Sequence, residues 1–395
     1  MKNNETNNHW LLPQGIEEAL PADAARLENL RRNLLDIYAS WGYQLVMPPM
    51  IEFIESLMIG TGHDFDLQTF KLIDQLTGRT MGVRADMTPQ VARIDSHQLK
   101  NDAPNRLCYM GTVLRTRPDG FGSSRSPFQA GVELYGHAGI ESDVEVLCLM
   151  VETLRAAGVA DISIDIGHVG LYRGLAKQAG FNEEQEATCF EMMQRKAIPE
   201  IQAYLVEQKV DKKVADMLNA LPELHGGESC LQNAQKIFVN ADAAVNDTLN
   251  YLQLAAVKFK QRVTDMSINF DLSELRGYHY HTGLLFAAYT SGEGQEIARG
   301  GRYDDIGEVF GRARPATGFS ADLKTLLNLS QQNTPSDVLG ILAPSDDSPE
   351  LLNAIKTLRA EGEKVIQSLA GQQANAAELG CNRELKFVSG KWQVK

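Results

Sequence analysis

From Asp23 onward the apolar residues Leu27, Leu30, Leu34, Ile37 or Tyr38, and Trp41 recur at helical spacing, and Gly42 follows where a helix C-terminus takes glycine. The pattern predicts one long amphipathic helix. Tyr43 to Met47 then reads as β-rich and stops at Pro48 and Pro49, which cannot donate to a sheet ladder. Thr69 to Arg84 predicts a hairpin turning at Leu76-Thr77-Gly78. Asn105 to Leu114 and Phe128 to Gly136 read as two more strands, joined by Pro118-Asp119-Gly120-Phe121-Gly122-Ser123-Ser124, whose glycines and serines make the connection mobile.

A helix is expected near Ser142 to Ala157, followed by a strand alternating Ile162, Ile164 and Ile166. From about Leu171 to Val263 the pattern is almost wholly helical, which predicts an inserted helical domain over 171–263. β-signals return from Met266 to Tyr289, and Gly300 to Asn328 runs loop, strand, helix. After Thr334 the order becomes strand (Val338 to Leu342), helix (Glu350 to Ala360) and strand (Val365 to Leu369), a small α/β unit. The expected division is a core over 1–328, containing the insertion, and a small C-terminal domain over 335–395. No internal repeat or low-complexity tract stands out.

With 395 residues, 43% apolar and 23% charged, the chain can bury large cores in about two or three domains. Met1 to Trp10 is polar and Asn-rich, and no run of about 18 apolar residues occurs, so neither a signal peptide nor a membrane span is expected and the cytoplasm is the expected compartment. Cys108, Cys148, Cys189, Cys230 and Cys381 lie roughly 40 or more residues apart without a C-x-x-C pair. Buried thiols are expected rather than a metal site or a disulfide framework. A net charge of -13 disfavours unassisted nucleic-acid binding, whose affinity comes mostly from cations on phosphates.

There is no Walker A loop, no G-x-S-x-G elbow and no H-E-x-x-H, and Gly120-Phe121-Gly122 leads into a serine-rich turn rather than a phosphate-binding helix. No catalytic residue and no cofactor is expected. What remains is a scatter of polar residues inside predicted strands: Arg84, Asp86 and Thr88; Arg115; Gln129 and Glu133; Arg276 and Tyr280. Any one of them fits a solvated strand face. Charged groups in a sheet interior are costly to bury unless paired or liganded, so a cluster needs a reason. In a strand, Gln129 and Glu133 share a face, as Arg84, Asp86 and Thr88 do.

At these residues the chain resembles histidyl-tRNA synthetase across roughly Leu12 to Leu327. Leu12-Pro13-Gln14-Gly15-Ile16 and Leu20-Pro21 are similar to the family's opening, and the long helix with a strand ending at Pro49 resembles class II motif 1, which builds the dimer interface. Val83-Arg84-Ala85-Asp86-Met87-Thr88 resembles the L-R-P-E-G-T segment, and Leu114-Arg115 through Glu133-Leu134-Tyr135-Gly136 keeps the length of motif 2. Leu275-Arg276-Gly277-Tyr278-His279-Tyr280-His281 is similar to R-G-L-D-Y-Y, and Gly300-Gly301-Arg302-Tyr303-Asp304 matches G-G-R-Y-D.

The resemblance implies an α+β class II aminoacyl-tRNA synthetase-like fold, an antiparallel sheet flanked by helices. It further implies that Asp86, Thr88 and Gln129 hold a histidine α-ammonium, that Glu133 faces the imidazole, and that Arg115 and Arg276 lie near the carboxylate or a phosphate, with Tyr280 and His281 completing the pocket. A zwitterion needs acceptors at one end and a guanidinium at the other, and an imidazole N–H needs an acceptor.

Departures from the family pattern point away from aminoacylation. The fourth position of F-R-x-E, whose Glu grips adenine, is Arg117, and the phosphate-clamping Arg of motif 3 is replaced by Thr325 in Gly318-Phe319-Ser320-Ala321-Asp322-Leu323-Lys324-Thr325. Losing one group placed on developing charge typically costs about 10²- to 10³-fold in rate. The remainder after Thr325 is also shorter than an anticodon-binding domain, so no tRNA partner is expected. His279 and His281 stand where the family has Asp and Tyr.

This combination resembles the regulatory subunit of the short-form ATP phosphoribosyltransferase. That family binds a separate catalytic subunit within a hetero-octamer, activates it and confers histidine inhibition on the first step of histidine synthesis. The resemblance implies a non-catalytic subunit with three associations: the catalytic subunit, free histidine, and itself as a dimer built on the Asp23 to Pro49 helix and strand. An active histidyl-tRNA synthetase is the alternative.

Overall fold

A computed structural model describes residues 10–58, 67–118, 123–274, 277–278, 280–331, 339–372 and 375–395, in one unit over Met1–Gln331 and another over Gln332–Lys395. The predicted long helix is α1 (Pro21–Ser40), with proline in the first turn, where its missing N–H is not needed. It ends as expected before Gly42, which takes φ +84°. β1 (Gln44–Leu45) and β2 (Ile51–Phe53) flank the two prolines, and α2 (Ile54–Met58) follows. β3 (Phe70–Ile73) and β4 (Thr80–Val83) form the predicted hairpin, and with β2 they make a three-stranded sheet.

The strand does not extend to Asp86 and Thr88. β4 ends at Val83, and Thr88 opens α3 (Thr88–Arg93), whose first turn holds Pro89. Proline presets a helical φ, so residues 84–87 turn into a helix and Arg84, Asp86 and Thr88 do not share a strand face.

β5 (Asn105–Thr112) and β6 (Phe128–Tyr135) pair antiparallel along their lengths. Next come α4 (Ile140–Ala156) and β7 (Ser163–His168). The insertion holds α5 (Val169–Gln178), α6 (Glu183–Gln194), α7 (Ile198–Glu207), α8 (Lys212–Ala220), α9 (Ser229–Ile237) and α10 (Ala243–Arg262). Its one strand, β8 (His225–Gly226), pairs with β9 (Ile268–Asp271) at the edge of the main sheet. The expected β-region up to Tyr289 is interrupted by turns before β10 (Leu284–Tyr289).

Gly300 to Arg302, expected as a loop, belongs to β11 (Ala298–Arg302), and β12 (Ala316–Asp322) and α11 (Leu323–Leu329) follow. Glycine occurs inside β11 because space forbids anything larger: a β-carbon at Gly300 would stand 2.2 Å from the Gly318 carbonyl oxygen and 2.5 Å from the Phe286 ring.

The main sheet runs β1-β5-β6-β12-β11-β10-β7-β9-β8, antiparallel through its centre with parallel pairs at β1–β5 and β7–β9. One face lays Ala130, Val132 and Phe319 on α4, whose Val144, Leu147, Met150, Val151 and Leu154 are buried with them. Each such aliphatic side chain contributes about 1.5–3 kcal/mol. Because side chains alternate, this packing also dictates which residues of β6, β11 and β12 face the other way.

α1 buries Leu30, Leu34 and Tyr38 in the same core, so its stripe is covered within the chain rather than left for a partner. The exposed apolar surface of the segment lies at Leu45, Met47, Met50 and Ile51, with Met47 78% exposed.

In the second unit β13 (Gly340–Ala343), α12 (Pro349–Ala360) and β14 (Val365–Gln367) follow the predicted order. Two unforeseen strands, β15 (Cys381–Val388) and β16 (Lys391–Val394), extend the sheet to β14-β13-β15-β16. Ile341, Leu351, Ile355, Val365 and Leu385 form its core. All five cysteines are buried thiols, as expected. No helix of the described residues is long and apolar enough to cross a membrane.

Candidate functional site

On the sheet face away from α4, Glu133 of β6 stands opposite Gly318 of β12, which stands opposite Gly301 of β11. Gln129 shares the face, as the four-residue spacing predicts, and Gly131 lies between them. A β-carbon at Gly131 would meet the Tyr109 hydroxyl at 2.4 Å, and one at Gly301 would meet the His281 ring at 2.7 Å. The glycines hollow the sheet where the polar side chains converge.

Glu133 is 1% exposed. Its Oε1 accepts from the Tyr109 hydroxyl at 3.0 Å, and its Oε2 accepts from the Tyr303 hydroxyl. Burial pushes the carboxyl up to about 8, against the downward pull of the Tyr303 and Tyr109 hydrogen bonds, and the Asp86 charge raises it further. Desolvation wins because both tyrosine donors are neutral. The Tyr109 hydroxyl also lies 3.0 Å from Thr88 Oγ1, which joins the α3 start to the Glu133 end of the site.

Asp86 and Gln129 form the adjoining end. Asp86 Oδ1 accepts from Thr88 N at 2.9 Å and from Gln129 Nε2 at 2.8 Å, and Gln129 Oε1 accepts from Met87 N at 3.0 Å. The turn at 84–87, which the strand reading missed, is what carries Asp86 over to β6. Asp86 and Thr88 are half-buried, so their oxygens remain within reach of a ligand.

Tyr280 stacks on Tyr303 with centroids 5.0 Å apart, and His281 meets Tyr280 edge-on at 5.2 Å. The Tyr280 hydroxyl is buried without a hydrogen-bond partner among the described residues. An unmatched buried hydroxyl costs about 1–3 kcal/mol, so a partner beyond the described residues, whether protein, water or ligand, is expected there. His281 Nδ1 lies 3.1 Å from the Gly277 carbonyl, and burial holds the imidazole below its ordinary range. The ring is therefore neutral and donates through Nδ1.

Arg115 is half-buried, with Nε 3.4 Å from the Ala85 carbonyl. It lines an open cleft of about 580 Å³ together with Gln129, Asp322, Lys324 and Thr325. The Thr325 hydroxyl donates to Asp322 Oδ2 at 3.0 Å, and Lys324 Nζ donates to the Ser126 carbonyl at 2.8 Å. Arg117 is exposed and outside the cleft wall.

The structure thus brings together Asp86, Thr88, Gln129, Glu133, Tyr280 and His281, with Arg115 at the cleft beside Gln129. Arg84 belongs to the frame: its Nη1 donates to the Pro48 carbonyl at 2.8 Å and its Nε to the Thr112 carbonyl at 3.0 Å. Arg276, His279 and residues 119–122 lie outside the described residues. Sequence reasoning missed Tyr109 and the role of Tyr303. Tyr109 looks like one more aromatic strand residue, and its only signal is the glycine it needs across the ladder at Gly131.

Residues 15–326 match the family profile of histidyl-tRNA synthetase, and residues 338–395 match that of the ATP phosphoribosyltransferase subunit HisZ C-terminal domain. The chain is 59% identical to an ATP phosphoribosyltransferase regulatory subunit from Thioalkalivibrio sulfidiphilus, over 98% of both chains. It is 55% identical to one from Alkalilimnicola ehrlichii, over 97% of this chain and 96% of that one. A crystal structure of an ATP phosphoribosyltransferase regulatory subunit/histidyl-tRNA synthetase from Bacillus halodurans is similar with a TM-score of 0.81 at 26% identity, covering 93% of this chain and 95% of that chain.

Proposed function

Because the chain belongs to the ATP phosphoribosyltransferase regulatory subunit family, whose larger part is histidyl-tRNA synthetase-like, we propose that it binds the catalytic subunit of the short-form enzyme, activates it, and mediates feedback inhibition by histidine in the first step of histidine synthesis. It does so as a subunit without catalysis of its own, working in the cytoplasm, dimerising with itself and taking no tRNA.

The observation that carries this reading is the contrast between two neighbouring parts of one sheet face. Asp86, Thr88, Gln129 and Glu133 are joined by hydrogen bonds, through Tyr109, into one polar cluster whose oxygens suit an ammonium and an imidazole N–H. In the adjoining cleft the Thr325 hydroxyl is committed to Asp322, where adenylate formation calls for a guanidinium on the phosphates, and Arg117 is not among the lining residues. Such a face holds the amino acid and does not activate it. In this reading Asp86, Thr88 and Gln129 hold the ammonium, Glu133 with Tyr280 and His281 surrounds the imidazole, and Arg115 and Arg276 serve the carboxylate or a phosphate.

Mixing the purified chain with the catalytic subunit, then measuring mass and turnover with and without histidine, tests the proposal. The expected result is a hetero-oligomer of raised turnover that histidine inhibits. A chain that neither associates with the catalytic subunit nor changes its turnover sinks the proposal.

A further inference from the structure

The turn that brings Tyr280 to Tyr303 has a second anchor outside the pocket. The Gly277 carbonyl accepts from Tyr280 N at 2.8 Å and from His281 N at 2.9 Å, and Gly277 itself takes φ +70°, a conformation open to glycine at little cost. Tyr278, in the same turn, is 4% exposed and packs into the helical insertion. Its ring lies 4.6 Å from Phe190 of α6 and 5.5 Å from Tyr172 of α5, and its hydroxyl donates to Glu186 of α6. Arg173 of α5 covers the ring at 4.6 Å and donates to the Tyr278 carbonyl at 2.8 Å.

Two more contacts fasten the end of β9 to the insertion: Lys196 Nζ to Asp271 Oδ2 at 2.9 Å, and Leu272 N to the Leu224 carbonyl at 3.0 Å. One tight turn therefore holds a tyrosine against the buried Glu133 cluster and another among the helices. A shift of Tyr280 either moves Tyr278 or breaks the hydrogen bonds on Gly277. Close-packed surroundings around Tyr278 leave little slack to absorb such a shift.

We propose that Tyr278 is a positioning residue: through Glu186, Arg173 and Phe190 the helical insertion sets where Tyr280 and His281 stand, and a ligand in the sheet pocket is felt at α6. This rests on reading the pocket as a histidine site. Packing alone would be served by phenylalanine. The hydroxyl aimed at Glu186, a carboxylate on the far element, is what ties the pocket to α6 in particular, and energetic coupling of this kind runs through chains of packed and hydrogen-bonded groups.

Calorimetry with free histidine on the full chain, paired with hydrogen exchange of the α6 amides, tests the tether. Tyr278→Phe and Glu186→Gln are each expected to weaken histidine binding by about three- to tenfold, the scale of coupling residues outside a ligand site. The double variant should bind no worse than the weaker single one, since both remove the same contact. Histidine should slow α6 exchange in the parent and not in either variant. If Tyr278→Phe binds histidine like the parent and α6 is still protected, the tether is overturned and the pocket reading stands. A variant that only lowers the unfolding temperature, with ligand-dependent protection intact, also overturns it. A parent chain that binds no histidine overturns both.

Discussion

The carboxyl of Glu133 occupies the space above Gly318, so closely that a β-carbon at residue 318 would stand 1.6 Å from Glu133 Oε2. Gly318 has no positive φ, so its demand for glycine is one of space alone. Gly318→Ala should force the Glu133 carboxyl off the Tyr109 and Tyr303 hydroxyls or push β12 from β6. Overpacking of this kind costs about 1–3 kcal/mol. Scanning calorimetry should show a lower Tm with far-UV dichroism unchanged, and an unchanged Tm would refute the crowding argument.

Burial also gives Glu133 a signature in the pH dependence of stability. The unfolded carboxyl titrates near 4.5 and the folded one at about 8. Between those values the folded chain holds a proton that the unfolded chain releases. Glu133 therefore contributes stability that is full below pH 4.5 and is lost as pH rises through 8, on the order of a few kcal/mol. His281, held low by burial, acts in the opposite sense, weakening the fold as pH falls below its unfolded value. Subtracting denaturant-melt profiles of Glu133→Gln from those of the parent isolates the Glu133 part. A difference that does not change between pH 5 and 8 contradicts the assignment.

Much of this was legible in the chain. The Leu30, Leu34, Tyr38 stripe gave α1, and the spacing of Gln129 and Glu133 gave a shared face, because burial against α4 enforces the alternation that the sequence displays. The alternation of Arg84, Asp86 and Thr88 mimics a strand, and the helix-starting effect of Pro89 overrides it. Gly300 and Gly301 resembled a loop because glycine is a turn residue, whereas here they make room for Phe286 and His281 across strands. Such long-range crowding leaves no local trace. β15 and β16 were hidden by charges, Arg383, Glu384, Lys386 and Lys391, on strands only half covered by α12.

The exposed apolar surface at Met47 and Ile51 predicts where the proposed dimer would form. α1 spends its stripe on its own core, so the dimer should depend on residues 45–51 rather than on the helix face. Met47→Asp with Ile51→Asp should convert a dimer to a monomer at micromolar concentration without lowering Tm greatly, as read by light scattering. A parent chain that is already monomeric counts against the proposed dimer.

No histidine-dependent pyrophosphate exchange is expected from the chain. The Thr325 hydroxyl is held by Asp322 and Arg117 is not among the residues that line the cleft, so neither supplies the phosphate or adenine contact that an active synthetase draws from these positions. Exchange at a rate typical of synthetases would restore the enzyme alternative. Arg117→Glu with Thr325→Arg need not recover activity, because Lys324 and Asp322 are engaged with Ser126 and the α11 start.

If histidine is sensed in the sheet pocket, binding and inhibition must fall together when the pocket is cut. Glu133→Ala removes the imidazole acceptor, and Asp86→Ala removes the ammonium's carboxylate along with the group that orients Gln129. A hydrogen bond to a charged group is worth about 1.5–3 kcal/mol, so Asp86→Ala should weaken histidine about ten- to hundredfold. The Glu133 carboxyl, protonated near neutral pH, offers a neutral hydrogen bond worth about 0.5–1.5 kcal/mol, so Glu133→Ala should weaken it about two- to tenfold. Inhibition requires histidine to bind one state of the complex more tightly than the other, so it should shift to higher histidine concentration by the same factor. Activation of the catalytic subunit should persist, since Glu133 is buried and Asp86 is half-buried against Gln129, so neither stands on an exposed face. Calorimetry on the chain and inhibition curves on the complex measure the two quantities separately. Should both variants bind histidine as tightly as the parent, the sensor lies elsewhere, at a subunit interface or on the catalytic subunit.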